Sequence, residues 1–385
     1  MSKLVHWDEI QNSKVILRLD LNVPIRDNKI YSDFRIIKSI PTIKELLSRN
    51  NKIILLSHLG RPAINSDNAS LSLEIVANYL SEKLQEKIIF YKNINNDISF
   101  TNHRIAMLEN VRFFSGEQDN AESFSKKLSQ LGDVFVFDAF GVAHRAESST
   151  YGIMNYIDYS AGPLLLSEVR NAINVMQEPR RPLCTIISGA KISTKLTLLK
   201  TFIDKADHII LGGGILNTYL HAKDYEIGES ICEKGMVDTM RKILNSTNSD
   251  KIVPPTDVVC CVNGDLSDYE TKEISMIQSE DKILDVGPSS IEEYNKILRT
   301  SSTIFWNGPL GFVEHPPFDS GTKSILRVLA KSSSYTMIGG GDTVSLVEKM
   351  DLQDSISYLS TGGGALLKFI EGKEMPTLRK LGLME

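Results

Sequence analysis

The chain reads as an α/β protein of two doubly wound parallel-sheet domains joined by a linker helix. Three observations predict this. Short apolar runs alternate with segments of helical spacing along the whole sequence, the pattern of parallel strands with helices on both faces. The alternation restarts after AGPLLLSEVRNAINVMQEPRRP (161–182), whose leucines and valines fall at helical spacing before a charged, proline-bounded exit. A length of 385 residues also exceeds a typical single domain.

In the first half, KVILRLDLNVP (14–24) is a strand closed by a proline, with Asp20 and Asn22 at its exit. A helix over about 34–49 opens with Arg35. KIILLS (52–57) is a buried strand running into His58-Leu59-Gly60-Arg61-Pro62. A helix over 71–84, a strand at 88–91 and a strand at 104–108 follow, the last leading to Glu109, Asn110 and Arg112. After a helix near 121–131, the strand 134–137 empties into a loop with Asp138, His144 and Arg145. In parallel sheets ligands collect outside the carboxyl ends of the strands. Asp20, Asn22, Arg35, His58, Arg61, Arg112 and Arg145 should therefore converge on one edge. Several arginines and a histidine without matching carboxylates make a site for a multiply charged anion, because the guanidinium pairs bidentately with phosphate or carboxylate. The plainer alternative is a set of surface charges with local partners.

In the second half, CTIIS (184–188) runs into Gly189-Ala190-Lys191, with Ser193 a candidate N-cap and Lys195 in the first helical turn. A lysine there opposes the helix dipole unless an anion shares the turn. HIIL (208–211) empties into Gly212, Gly213 and Gly214; Asp257 and Asp285 sit on further predicted strands, with Asp285 at a strand exit; TIFWNGPLGFVE carries Asn307, Pro309 and Glu314. YTMIGGGDTVSLVEKM (335–350) reads as strand, glycine turn, helix. Its bare N–H groups at a helix start suit a phosphate, and Asp342 could offer an oxygen to a metal, or act only as an N-cap. A third triplet, Gly362 to Gly364, starts the last predicted helix. Three such triplets after apolar runs suggest close backbone approach to a ligand.

Composition narrows the partners. A net charge of -5, 42% hydrophobic and 24% charged residues are ordinary for a soluble enzyme and give no footprint for nucleic acid or an acidic membrane. MSKLVHWDEI lacks an apolar signal core, and no apolar run approaches the roughly 18 residues of a span, so a cytoplasmic protein is expected. Cys184, Cys232, Cys260 and Cys261 show no metal-binding spacing and read as buried apolar residues.

Together LRLDLNVP, SHLGRP, LENVRF, DAFGVAHRA, SGAKISTK, GGGILNTYL, WNGPLGFVE, IGGGDTVS and STGGGA, in this order, resemble phosphoglycerate kinase over nearly the whole chain. The resemblance implies a monomeric, two-domain glycolytic enzyme. It would transfer phosphate between 1,3-bisphosphoglycerate and ADP, giving 3-phosphoglycerate and ATP, with Mg²⁺. It implies a phosphoglycerate-binding domain over 1–162, a linker helix over 163–182, and a nucleotide-binding domain over 183–371. The sites would face each other across a cleft, and a tail from about 372 would pack back on the first domain. Carried across, the phosphoglycerate site is Asp20, Asn22, Arg35, His58, Leu59, Gly60, Arg61, Arg112 and Arg145. The nucleotide site is Gly189, Ala190, Lys191, Lys195, Gly213, Asn307, Pro309, Glu314, Gly340, Gly341, Asp342 and Thr343. Asp342 takes the Mg²⁺ position and Glu314 the ribose position. Arg35 and Lys195 are expected to flank the moving phosphoryl group, with N–H donors from Gly341, Gly363 and Gly364. The chain departs from the family pattern at Phe137, Ser167, Leu366 and Lys368.

The sequence argues against two alternatives. A nicotinamide dehydrogenase would need G-x-G-x-x-G after the first strand, where this chain has Asn22-Val23-Pro24. A catalytically silent metabolite-binding protein of the same fold would be expected to lose Lys195, Arg35 or Asp342, and all three are present.

Overall fold

The computed structural model describes residues 2–62, 68–94, 98–245 and 248–384. The chain divides into two units, Met1–Arg170 with Gly364–Glu385, and Asn171–Gly363.

In the first unit the chain runs through β1 (Lys14–Leu19), β2 (Ile25–Arg26), β3 (Lys29–Ile30), α1 (Phe34–Ser48), β4 (Lys52–Leu56), α2 (Glu74–Leu84), β5 (Ile88–Tyr91), β6 (Ile105–Leu108), α3 (Glu122–Ser129), β7 (Val134–Asp138) and β8 (Tyr159–Ala161). Six of these strands form one parallel sheet in the order β5-β6-β4-β1-β7-β8. Alternate residues Val15, Leu17 and Leu19, with Ile53, Leu55, Ile105 and Met107, pack against Ile36, Ile43 and Leu46 of α1 and Val76 and Leu80 of α2. The intervening Ile16, Ile54, Ala106 and Phe135 are buried too, so both faces are covered, which is why these strands are continuous apolar runs rather than alternating ones.

The unit boundary falls inside α4 (Pro163–Met176). The second unit continues with β9 (Leu183–Ser188), α5 (Leu196–Lys205), β10 (His208–Gly212), α6 (Gly213–Ala222), α7 (Val237–Leu244), β11 (Ile252–Val253), β12 (Asp257–Val262), β13 (Asp265–Glu273), β14 (Asp281–Val286), α8 (Pro288–Thr300), β15 (Thr303–Asn307), α9 (Ser320–Leu329), β16 (Tyr335–Gly339), α10 (Gly341–Lys349) and β17 (Tyr358–Leu359). Its parallel sheet has the order β11-β10-β9-β15-β16-β17. From β9 the chain builds outward to β11, then returns to β15 and builds the other way. The switch point therefore lies between the carboxyl ends of β9 and β15, where open sheets of this kind bind ligands.

Residues 257–286 depart from the expected strand–helix alternation. They form a separate antiparallel sheet, β13-β12-β14, and Asp285 lies within β14 rather than at a strand exit. Burial pushes its carboxyl up to about 7, and it accepts from the Gly321 and Val286 N–H groups. Two last helices, α11 (Gly364–Ile370) and α12 (Pro376–Lys380), belong to the first unit. Thr377 Oγ1 donates to the carbonyls of Arg145 and Thr150, both at 3.3 Å, which anchors the tail to the loop after β7.

Candidate active site

In the first unit the strand ends bring the expected residues to one edge of the sheet. Asp20 and Asn22 follow β1, His58 to Arg61 follow β4, Arg112 lies just beyond β6, and Arg145 lies on the loop after β7. Arg35, second residue of α1, donates to the Asn22 carbonyl at 2.8 Å and pairs with Asp20 at 3.4 Å. The turn is fixed through Gly60. Its N–H donates to Asn22 Oδ1 (2.9 Å), and its carbonyl accepts from Arg112 Nη1 (2.7 Å). Leu59 is buried, its carbonyl held by Asn110 Nδ2, while Arg61 is exposed.

Behind these lies Arg18, fully buried in β1. It donates through Nε to Ser149 Oγ (3.0 Å) and lies with Nη2 3.3 Å from His58 Nδ1; Ser149 in turn donates to Glu117. Burial, then the arginines 18, 112, 35 and 145, holds His58 well below its ordinary range, so the ring is neutral. His144 is pushed down to about 4, first by burial and then by Lys368, one of the positions where the sequence departs from the family pattern.

The expectation of arginines without matching carboxylates is corrected here. Glu147 Oε1 pairs with both Arg112 (3.3 Å) and Arg145 (3.1 Å), and Asp20 pairs with Arg35. Four arginines against these two carboxylates still leave an anion-seeking edge.

In the second unit Lys195 is the centre. It lies between a short 3₁₀ turn (Ile192–Thr194) and the start of α5, so Ser193 is not the N-cap of that helix. Its ammonium donates to the carbonyls of Ser188 and, at 3.2 Å, Asn307, at the ends of β9 and β15. Gly308, at φ +94°, has no room for a side chain; a Cβ there would come within 2.9 Å of Lys195 Nζ. Burial draws the Lys195 pKa down to about 8, while Asp342 acts to raise it.

Asn307 is buried and donates to the Gly339 carbonyl at 3.0 Å, joining the ends of β15 and β16. Gly340, at φ +105°, is the N-cap of α10, whose first turn carries Asp342. Asp342 is therefore not the cap, and its carboxylate is exposed; Thr343 Oγ1 behind it is buried with no partner. Lys191 and Glu314 are exposed, Ala190 is exposed, and Gly189 and Pro309 are half-buried.

The glycine triplets divide. Gly213 and Gly214 pack against the Gly189 and Ala190 backbone, where a Cβ would meet carbonyls at 3.0 and 2.2 Å, so internal packing alone already requires glycine at both. Gly341 and Gly364 instead face open space. Both residues are exposed.

Comparison with known proteins decides the family. The family model described as Phosphoglycerate kinase matches residues 5–373. The chain belongs to the phosphoglycerate kinase family. It is 41% identical over 375 residues to the phosphoglycerate kinase of Vibrio campbellii, covering 97% of this chain and 96% of that one. It is 42% identical over 374 residues to that of Legionella pneumophila, covering 96% and 94%. Solved structures of phosphoglycerate kinase from Coxiella burnetii (TM-score 0.86, 37% identity, 98% and 99% covered) and Pyrococcus horikoshii (TM-score 0.87, 28% identity, 100% and 99% covered) share the fold. The activity is glycolytic phosphoryl transfer between a nucleotide and a phosphoglycerate carboxyl group. No helix among the described residues is long and apolar enough to cross a membrane.

Sequence reasoning passed over Arg18, Ser149, Glu117 and Glu147. Arg18 was hidden within an apolar strand, and the others lie on loops, each with at least one partner 32 to 131 residues away. A charged residue inside a buried strand was the available signal, since such a group requires a buried partner.

Proposed function

We propose that the first unit binds the phosphoglycerate through Asp20, Asn22, Arg35, His58 to Arg61, Arg112 and Arg145, and that the second binds ADP or ATP through Gly189, Ala190, Lys191, Lys195, Gly213, Asn307, Pro309, Glu314 and Gly340 to Thr343. The observation that carries this is the pairing of chemistries. An arginine-rich edge stands at the strand ends of the first sheet; in the second, a lysine stands at the switch point between β9 and β15, and the open start of α10 follows the neighbouring strand β16. Residues 1–162 would thus be the phosphoglycerate domain, 163–182 the linker and 183–371 the nucleotide domain. The chain acts as a cytoplasmic monomer on small molecules, with no nucleic-acid partner; its net charge of -5 offers no polyanion-binding excess.

Phosphoryl transfer needs little covalent help, so catalysis here is positioning and charge neutralisation. Arg35 and Lys195 flank the transferring group. Lys195 is suited to this because carbonyls, not a carboxylate, hold it in place, leaving its charge available to phosphate. Gly341, Gly363 and Gly364 offer N–H donors, and the open space at Gly341 and Gly364 supports close approach there. Donor and acceptor bind separate units, so turnover requires the units to come together and exclude water that would hydrolyse the acyl phosphate.

No group of three or more metal-ligating side chains occurs among the described residues. The single exposed carboxylate of Asp342 nonetheless fits Mg²⁺, which binds through one or two carboxylates plus substrate phosphates and water. Bound there, the ion would neutralise charge on the nucleotide phosphates. The test is calorimetric titration of ADP with and without Mg²⁺. Asp342→Ala should abolish the Mg²⁺-dependent gain in affinity and leave metal-free ADP binding intact; an unchanged gain would move the metal elsewhere.

A further inference from the structure

We propose that Glu147 governs anion affinity at the arginine edge, holding it down by competing with the bound anion for Arg112 and Arg145. The inference rests on the reading of that edge as the phosphoglycerate site. One carboxylate oxygen, Oε1, takes both guanidinium groups, Arg112 Nη2 at 3.3 Å and Arg145 Nη1 at 3.1 Å. The other, Oε2, is buried with no donor at all, and so are the Nε atoms of Arg112 and Arg145 with no acceptor. A carboxylate whose role was to hold these arginines would be expected to use both oxygens in forked pairs, the strong arrangement for this chemistry. Here it uses one, at the long end of the range.

The backbone that carries the carboxylate is held independently of the arginines. The Glu147 N–H donates to Thr150 Oγ1 (3.0 Å), and its carbonyl accepts from the N–H groups of Tyr151 (2.8 Å) and Gly152 (3.2 Å). It therefore presents a fixed negative charge, buried to 5% exposure, between two cations. Its field reaches Arg18 as well. An incoming anion must displace this resident carboxylate from Arg112 Nη2 and Arg145 Nη1. Small dianions with few contacts would be disfavoured most. A phosphoglycerate, which also reaches Arg35 and the Gly60 turn, would be disfavoured less. Glu147 is thus a specificity-determining residue against free phosphate and sulfate.

The experiment is calorimetric titration of wild type and Glu147→Gln with sulfate at constant ionic strength, beside KM for 3-phosphoglycerate. Glu82→Gln, which removes an equally negative but exposed residue of α2, serves as control. Removing a charge this close to its cations should tighten sulfate binding by at least about tenfold. KM should fall less, and the control should match wild type. Sulfate binding as weak as wild type, or weaker, in Glu147→Gln overturns the proposal. A second measurement uses wild type alone: in crystals holding sulfate at the arginines, Arg112 Nη2 and Arg145 Nη1 should have left Glu147. Contacts to Glu147 kept alongside the bound ion would contradict the idea. Sulfate titration needs no turnover, so failure of wild type to phosphorylate 3-phosphoglycerate would sink the reading of the site while leaving this comparison decisive on its own.

Discussion

Nη2 of Arg18 lies 3.3 Å from Nδ1 of His58, both buried. A guanidinium only donates, so that ring nitrogen carries a lone pair and the proton of the neutral ring sits on Nε2. The Arg18 side chain thereby makes His58 a fixed N–H donor. ¹⁵N chemical shifts of His58 should report the Nε2–H tautomer and no protonation step near the ordinary imidazole pKa. A ring titrating near its ordinary 6.5 would refute this. The same shift has a stability sign. Below about 6.5 the unfolded chain takes up a proton that the folded ring refuses, so this group's contribution falls as pH drops through that point.

Glu117 gives the opposite sign. Burial pushes its carboxyl up from 4.5 to about 7, against the lowering influence of Arg18 and Ser149. Between those values the folded state holds a proton that the unfolded state has released, so wild-type stability declines as pH rises through that window. Glu117→Gln does not titrate. Urea melts at pH 5 and pH 8 should therefore show the variant gaining on wild type by roughly 2–4 kcal/mol over the range. A difference independent of pH would mean that Glu117 is ionised throughout.

Lys195 is expected to set the alkaline limb of activity. With its pKa drawn down to about 8, the free enzyme loses this cation above that pH. The kcat/KM for nucleotide, which reports free-enzyme ionisations, should fall above about pH 8. Asp342 acts to raise the same pKa, so Asp342→Ala should move the limb to lower pH. A limb that stays in place would separate the two residues.

The parallel sheets were legible because buried strands such as KIILL and HIIL are short apolar runs that end in glycine or polar residues, and the strand-end rule then places Asp20, Arg112 and Asn307 without any coordinates. The antiparallel β12–β14 sheet was not. Asp257 and Asp285 sit beside apolar residues just as strand-end residues do, and pairing direction leaves no local mark. Glu147 was missed for a related reason. Its meaning depends on Arg112, 35 residues earlier in the chain, and charge matching at that separation is set by the fold alone. The glycine triplets misled in part, since backbone packed on backbone at Gly214 calls for the same residue as a helix start facing open space at Gly341.

Arg35, on the first unit, and Lys195, on the second, are proposed to act on one transferring phosphoryl group. The most direct test of this pairing is steady-state turnover of 3-phosphoglycerate and ATP with Arg35→Ala and Lys195→Ala, read as separate kcat and KM values. Both variants should lose about 10²- to 10⁵-fold in kcat, the cost of removing a transition-state donor or an arginine finger. Near-wild-type kcat in both, with only KM raised, would show that these residues bind the ground state and leave the transferring group to others.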